Sequence, residues 1–166
     1  MRFLLFPESQ LWVVLIVLTT AVTAVFTPFS RSLAQDEPVV VTVKPVLSID
    51  KVPQGSQFQV AVVATIAPGY HVNAHIPSEK YLIPTDLKLT PFKGLTVEPA
   101  LYPTPIQKAM EFVEGKKLAL YEGKFVIGLI ARAGKDLPVG RQTLKGTLRY
   151  QACNDQVCLP PDDIPV

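Results

Sequence analysis

Residues 57–67 read QFQVAVVATIA, and within them Phe58, Val60 and Val62 alternate with Gln57, Gln59 and Ala61. A period of two, with β-branched residues on one side, predicts a strand with one buried face. Looser versions of the pattern recur at 39–45 (VVVTVKP), 86–90 (DLKLT), 95–99 (LTVEP), 123–132 (GKFVIGLIAR) and 140–153 (GRQTLKGTLRYQAC). A PFKG turn at Pro91–Gly94 separates 86–90 from 95–99, and AGKDLPVG joins the last two strands. Sixteen prolines spread along the chain leave little room for a long helix. Seven or more short strands with Gly/Pro punctuation predict an all-β sandwich.

Two segments break the pattern. APGYHVNAHIPSEKYLIPTD (67–86) holds too many prolines for continuous pairing, and YPTPIQKAMEFVEGKKLALYEG (102–123) reads as a long connection with exposed apolar residues. Within the latter, GKKLALYEGK reads as a solvated hairpin. Loops beyond about 12–15 residues are uncommon in compact domains unless they serve a function, so one of the two is expected to cover something.

The start of the chain follows a different rule. Residues 11–26, LWVVLIVLTTAVTAVF, carry no charge; Arg2 precedes them, and Ser32 and Ala34 set small residues before Gln35. This is the anatomy of a secretory signal. The apolar run is slightly short of the roughly 20 residues of a membrane span, which favours cleavage over an uncleaved anchor. Residues 1–34 are therefore expected to be a signal peptide or membrane anchor, and 35–166 a single exported domain. Without 1–34 the chain loses Arg2, Arg31 and Glu8, bringing its formal charge of +2 one unit nearer zero. Nothing in this balance resembles a nucleic-acid stripe or an acidic tail.

Both cysteines of the chain lie in YQACNDQVCLPP, residues 150–161. If Asp155 and Gln156 are the centre of a hairpin turn, Asn154 and Val157 close it with hydrogen bonds. Cys153 and Cys158 then face each other as a non-hydrogen-bonded pair with Cα atoms about 4.5 Å apart, at the short end of the disulfide range. Such a short separation tends to store strain and ease reduction. NDQV, however, is not a strong primed-turn sequence. As a staple the bridge is weak: a loop of about six residues gains roughly 2 kcal/mol, against about 4.5 for a loop near 80 residues. Geometry alone leaves a redox pair and a structural clip equally open. No His, Lys or Arg stands between the cysteines and Asp155 does, so the surroundings are not expected to favour a thiolate. This suits a dithiol that passes electrons once a partner's thiolate engages its disulfide.

The YQAC…CLPP hairpin, with GYHVNAHIP and LYEGKF upstream, resembles the periplasmic N-terminal domain of the thiol:disulfide interchange protein DsbD. The likeness runs from about Lys44 to Pro165. It implies an immunoglobulin-like β-sandwich in which Cys153 and Cys158 cycle between dithiol and disulfide. Electrons would come from a membrane-embedded or thioredoxin-like donor and pass to thioredoxin-like periplasmic oxidoreductases, making the domain a component of a protein-disulfide reductase. The family places the partner-facing sulfur on the second cysteine, Cys158. Tyr150, Pro160 and Pro161 match the motif, whereas Leu159 departs from the aromatic often found there. A family aromatic on a cap loop shields the pair; Phe112, after Glu111, occupies about the right region, with Tyr102 and Tyr121 as rivals. With no polytopic segment or CxxC module, the chain is expected to act as a stand-alone shuttle or receiver.

Other chemistry is weaker. His71 and His75 are four apart, but Pro68, Gly69 and Pro77 argue against a helix. On a strand they would stand about 13 Å apart, too far to share an ion. Two thiolates and one imidazole could hold copper or zinc; no metal or cofactor is assigned. The remaining alternative is a non-catalytic β-sandwich binding module with a structural hairpin disulfide.

Overall fold

The computed structural model describes residues 39–90, 92–110 and 115–166. Among these the architecture is all-β, with eleven strands in three antiparallel sheets. The first sheet joins β1 (Val41–Leu47), β2 (Gln57–Ile66), β8 (Lys124–Ala133) and β5 (Leu95–Val97), in that order. The second runs β10 (Ala152–Cys153), β3 (His71–Asn73), β7 (Lys117–Glu122), β6 (Ile106–Ala109). The third runs β11 (Asp162–Pro165), β9 (Lys145–Tyr150), β4 (Asp86–Thr90).

The predicted alternation holds where one face is buried. On β2, Val60, Val62, Ala64 and Ile66 point inward; on β8, Phe125, Ile127, Leu129, Ala131 and Ala133 do. Register sets Val60 opposite Leu129, Val62 opposite Ile127 and Ala64 opposite Phe125. Such directly opposed apolar pairs are the unit of sheet stability. They meet Val72, Ala119, Tyr121 and Ala152 of the second sheet and Leu87, Leu148 and Tyr150 of the third in one core. Pro45, which cannot donate to a ladder, is tolerated because β1 is an edge strand.

The structure corrects the reading of both irregular segments. The first contains β3, a three-residue strand that pairs on both sides despite the flanking Pro68 and Pro77. The second contains β6 and β7, and the supposed solvated hairpin is a buried strand: Leu118 to Tyr121 are all inaccessible. β7 is covered on both faces. Ala119 and Tyr121 join the main core, while Leu118 and Leu120 form a second cluster with Met110 and partly buried Leu82. The strand expected over 140–153 is likewise two strands. Chain 145–150 pairs in the third sheet, and after Gln151 the next two residues pair in the second.

Candidate functional site

The turn that carries the cysteines is built by Asn154. Its side-chain Oδ1 accepts hydrogen bonds from the backbone N–H of Gln156 at 2.9 Å and of Val157 at 2.8 Å. The Asn154 N–H donates to the Val157 carbonyl at 2.9 Å. An Asx-type turn of this kind lets a side chain replace the backbone bond a primed turn would supply, which is why NDQV turns without glycine. The next ladder bond, Leu159 N–H to Ala152 carbonyl at 2.8 Å, closes the hairpin below.

Between these two bonds Cys153 and Cys158 face each other as an antiparallel bridge with Cα atoms 4.0 Å apart, joined by a disulfide. This is the predicted non-hydrogen-bonded position, somewhat closer than the ideal spacing. The two sulfur-bearing residues differ sharply in access. Cys153 is 2% exposed, whereas Cys158 lies on the exposed side of the hairpin.

The flanking residues brace the hairpin. Tyr150, buried on β9, donates its hydroxyl to Asp162 Oδ2 at 3.0 Å, tying the strand before the hairpin to the strand after it. Burial and that carboxylate both push its phenol well above the ordinary range. Pro160 is exposed, just beyond Leu159, which packs against the core. Gln151 Nε2 donates to the Leu159 carbonyl at 3.1 Å. Phe112, the expected cap, lies outside the described residues.

Two aromatic rivals for the cap are engaged elsewhere. Tyr102 stacks on His75, ring centroids 3.8 Å apart and 4° from parallel, and accepts the Leu87 N–H at 2.8 Å. Burial foremost pushes its phenol up to about 12. Tyr121 stacks on Phe125, and its hydroxyl donates to the Pro103 carbonyl at 3.2 Å. His75 Nδ1 lies 3.1 Å from the Thr85 carbonyl and 3.6 Å from Asp86 Oδ1. The two histidines therefore serve different neighbourhoods. Among the described residues, no group of three or more potential ligands gathers to hold a metal.

His71, read from the sequence only as a weak metal candidate, is placed beside the pair by the strand register. On β3 it pairs directly with Cys153 of β10 on one side and with Glu122 of β7 on the other. Directly opposed residues of antiparallel strands project from the same face. Cys158, Cys153, His71 and Glu122 thus form one row across the sheet. Lys108 of β6, opposite Leu118 in register, reaches the end of the row with its side chain, its Nζ 2.8 Å from Glu122 Oε1. Burial foremost, then Lys108, pulls His71 below its ordinary value, while Glu122 and Asp155 pull the other way. The hydrogen bond to Glu122 raises Lys108 in turn. Across the strands the pair's titratable neighbour is thus His71, a group that the spacing along the sequence does not place beside it.

A β-sandwich that presents a two-cysteine hairpin, one sulfur-bearing residue buried and the other exposed, is the arrangement that suits a thiol–disulfide exchange domain. Residues 37–164 match the family described as thiol:disulfide interchange protein DsbD, N-terminal, and the chain belongs to that family. Among solved structures it is similar to the Neisseria meningitidis DsbD N-terminal domain in the reduced form, at 21% identity and TM-score 0.47, covering 75% of this chain and 81% of that one. It is also similar to the N-terminal periplasmic domain of ScsB from Proteus mirabilis, at 15% identity and TM-score 0.53, covering 80% of this chain and 47% of that one. The second likeness supports the fold alone. Comparison with curated protein sequences gives no match.

Proposed function

We propose that this domain is an exported electron shuttle in which the Cys153–Cys158 pair exchanges electrons between a membrane donor and thioredoxin-like periplasmic oxidoreductases. Membership of the DsbD N-terminal family supports the chemistry and an extracytoplasmic location. Residues 1–34 are the export signal or anchor in this reading, and 35–166 the working domain.

The single observation that carries the mechanism is the unequal access of the two cysteines. Thiol–disulfide exchange needs the attacking sulfur to approach along the disulfide axis, so the exposed end is the one a macromolecule reaches. Cys158 is therefore the partner-facing atom, and Cys153 is the buried thiol that leaves when the disulfide opens and closes again when it re-forms. Tyr150 and Pro160 hold the hairpin in place, and Phe112 is the proposed cap.

Trapping tests this. Cys153→Ser leaves Cys158 to form a mixed disulfide with a thioredoxin-fold protein whose own second cysteine is replaced by Ser, so that neither side can resolve it, and the adduct accumulates on a non-reducing gel. Cys158→Ser accumulates little. Strong destabilisation of the double Cys→Ser variant, with no adduct from either single variant, supports a structural clip instead.

A further inference from the structure

The row across the second sheet places an imidazole between a cysteine and a carboxylate. Adjacent strands lie about 4.7–4.9 Å apart, so side chains projecting from neighbouring positions of one row are within reach of each other. His71 is nearly inaccessible, 2% exposed, and Glu122 is held by Lys108 at the outer end of the row. Leu118 and Leu120 of β7 project from the same face as Glu122 and pack with Met110 and Leu82. That apolar cluster adjoins the row. The inner cysteine therefore has a titratable neighbour inside the protein, while its own access to bulk water is poor.

We propose that His71 is the base for Cys153: it accepts that thiol's proton as the thiol closes onto a mixed disulfide at Cys158 and then releases it to water, with Glu122, its neighbour on β7, tuning the ring. The inference rests on the exchange function above and adds the group that serves the buried thiol. In the closing step the Cys153 S–H bond breaks and its proton passes to the imidazole. The thiolate attacks the Cys158 sulfur. The Cys153–Cys158 bond forms, and the bond from Cys158 to the partner sulfur breaks. The partner leaves as a thiolate carrying the electron pair and is protonated by water. The cysteine pair is oxidised by two electrons and the partner's disulfide is reduced. In reverse, His71 takes up a proton from water as the pair opens and passes it to the leaving Cys153 thiolate, which burial would otherwise penalise.

The charged groups facing His71 agree with this task. Burial and Lys108 keep the ring neutral at neutral pH, ready to accept a proton, and Glu122 and Asp155 stabilise the cation once it forms. Lys108, paired to Glu122, moderates that carboxylate. A positioned base of this kind contributes on the order of 100-fold or more to a proton-coupled step.

The test uses the reduced full chain and 5,5′-dithiobis(2-nitrobenzoate) as the probe, followed by stopped-flow absorbance. The first chromophore release reports attack by Cys158; the second, independent of probe concentration, reports Cys153 closing the pair. His71→Gln leaves the first phase within about twofold and slows the second on the order of 100-fold at pH 7. The pH profile of its second phase keeps rising beyond about pH 8.5, as for an unassisted thiol. Glu122→Gln, at an exposed position that spares the fold, moves the inflection of the second phase to lower pH and lowers its plateau several-fold. Unchanged second phases in both variants overturn the role of His71 as base, as does equal slowing of both phases, which marks a structural role. A wild-type protein that never releases the second equivalent overturns the exchange function and the role of His71 together.

Discussion

At the scale of single residues, Asn154 decides whether the two thiols meet. Its Oδ1 holds two backbone N–H groups that have no other acceptor in the turn. Asn154→Ala removes both bonds, each worth about 0.5–1.5 kcal/mol. The reduced hairpin then frays, and oxidation has to order it again. The disulfide of this variant is expected to be easier to reduce than that of the wild type in a glutathione titration; an unchanged midpoint would show that the turn holds without the side chain. His71 makes a second prediction. Its folded-state value lies below its unfolded one, so below about pH 6.5 the unfolded chain binds a proton that the folded chain refuses. Stability is fully present above that pH and falls as the pH drops toward the folded value. Urea midpoints compared at pH 7.5 and pH 5 should show this decline, and His71→Gln should reduce it.

At the scale of elements, the legible strands were those with one wet face. β2 and β8 bury one face and leave the other exposed or half-buried, and so their period of two survives in the sequence. β7 is covered on both faces, so LALY carries no alternation and passes for a loop flanked by lysines. β3 was hidden for another reason: three residues between a glycine turn and a proline are too few to show a period. The site followed the same division. The cysteine bridge, between residues five positions apart, could be drawn from the hairpin alone. His71 and Glu122 reach Cys153 only through pairings between strands far apart in the chain, which no local spacing encodes. The turn between β4 and β5 was read from PFKG, and its glycine carries a measurable demand. Gly94 has φ +82°, and a Cβ there would lie 2.6 Å from the Leu137 Cα. Gly94→Ala is expected to lower stability by about 1–3 kcal/mol in chemical denaturation while leaving thiol exchange rates unchanged.

At the scale of the whole molecule, the division of labour is plain. The first sheet and its facing strands supply the buried core, and the second sheet's edge carries the hairpin. A core of this size does not depend on a crosslink spanning so few residues, so the disulfide is free to open without unfolding the sandwich. That freedom is what a shuttle needs: the same fold must persist in the dithiol and disulfide states while electrons enter and leave at Cys158. The most direct measurement is a redox titration of the full chain against glutathione. The account predicts a midpoint between about −200 and −250 mV, in the range of thiol–disulfide carriers. A midpoint below about −300 mV, where structural disulfides lie, would contradict it.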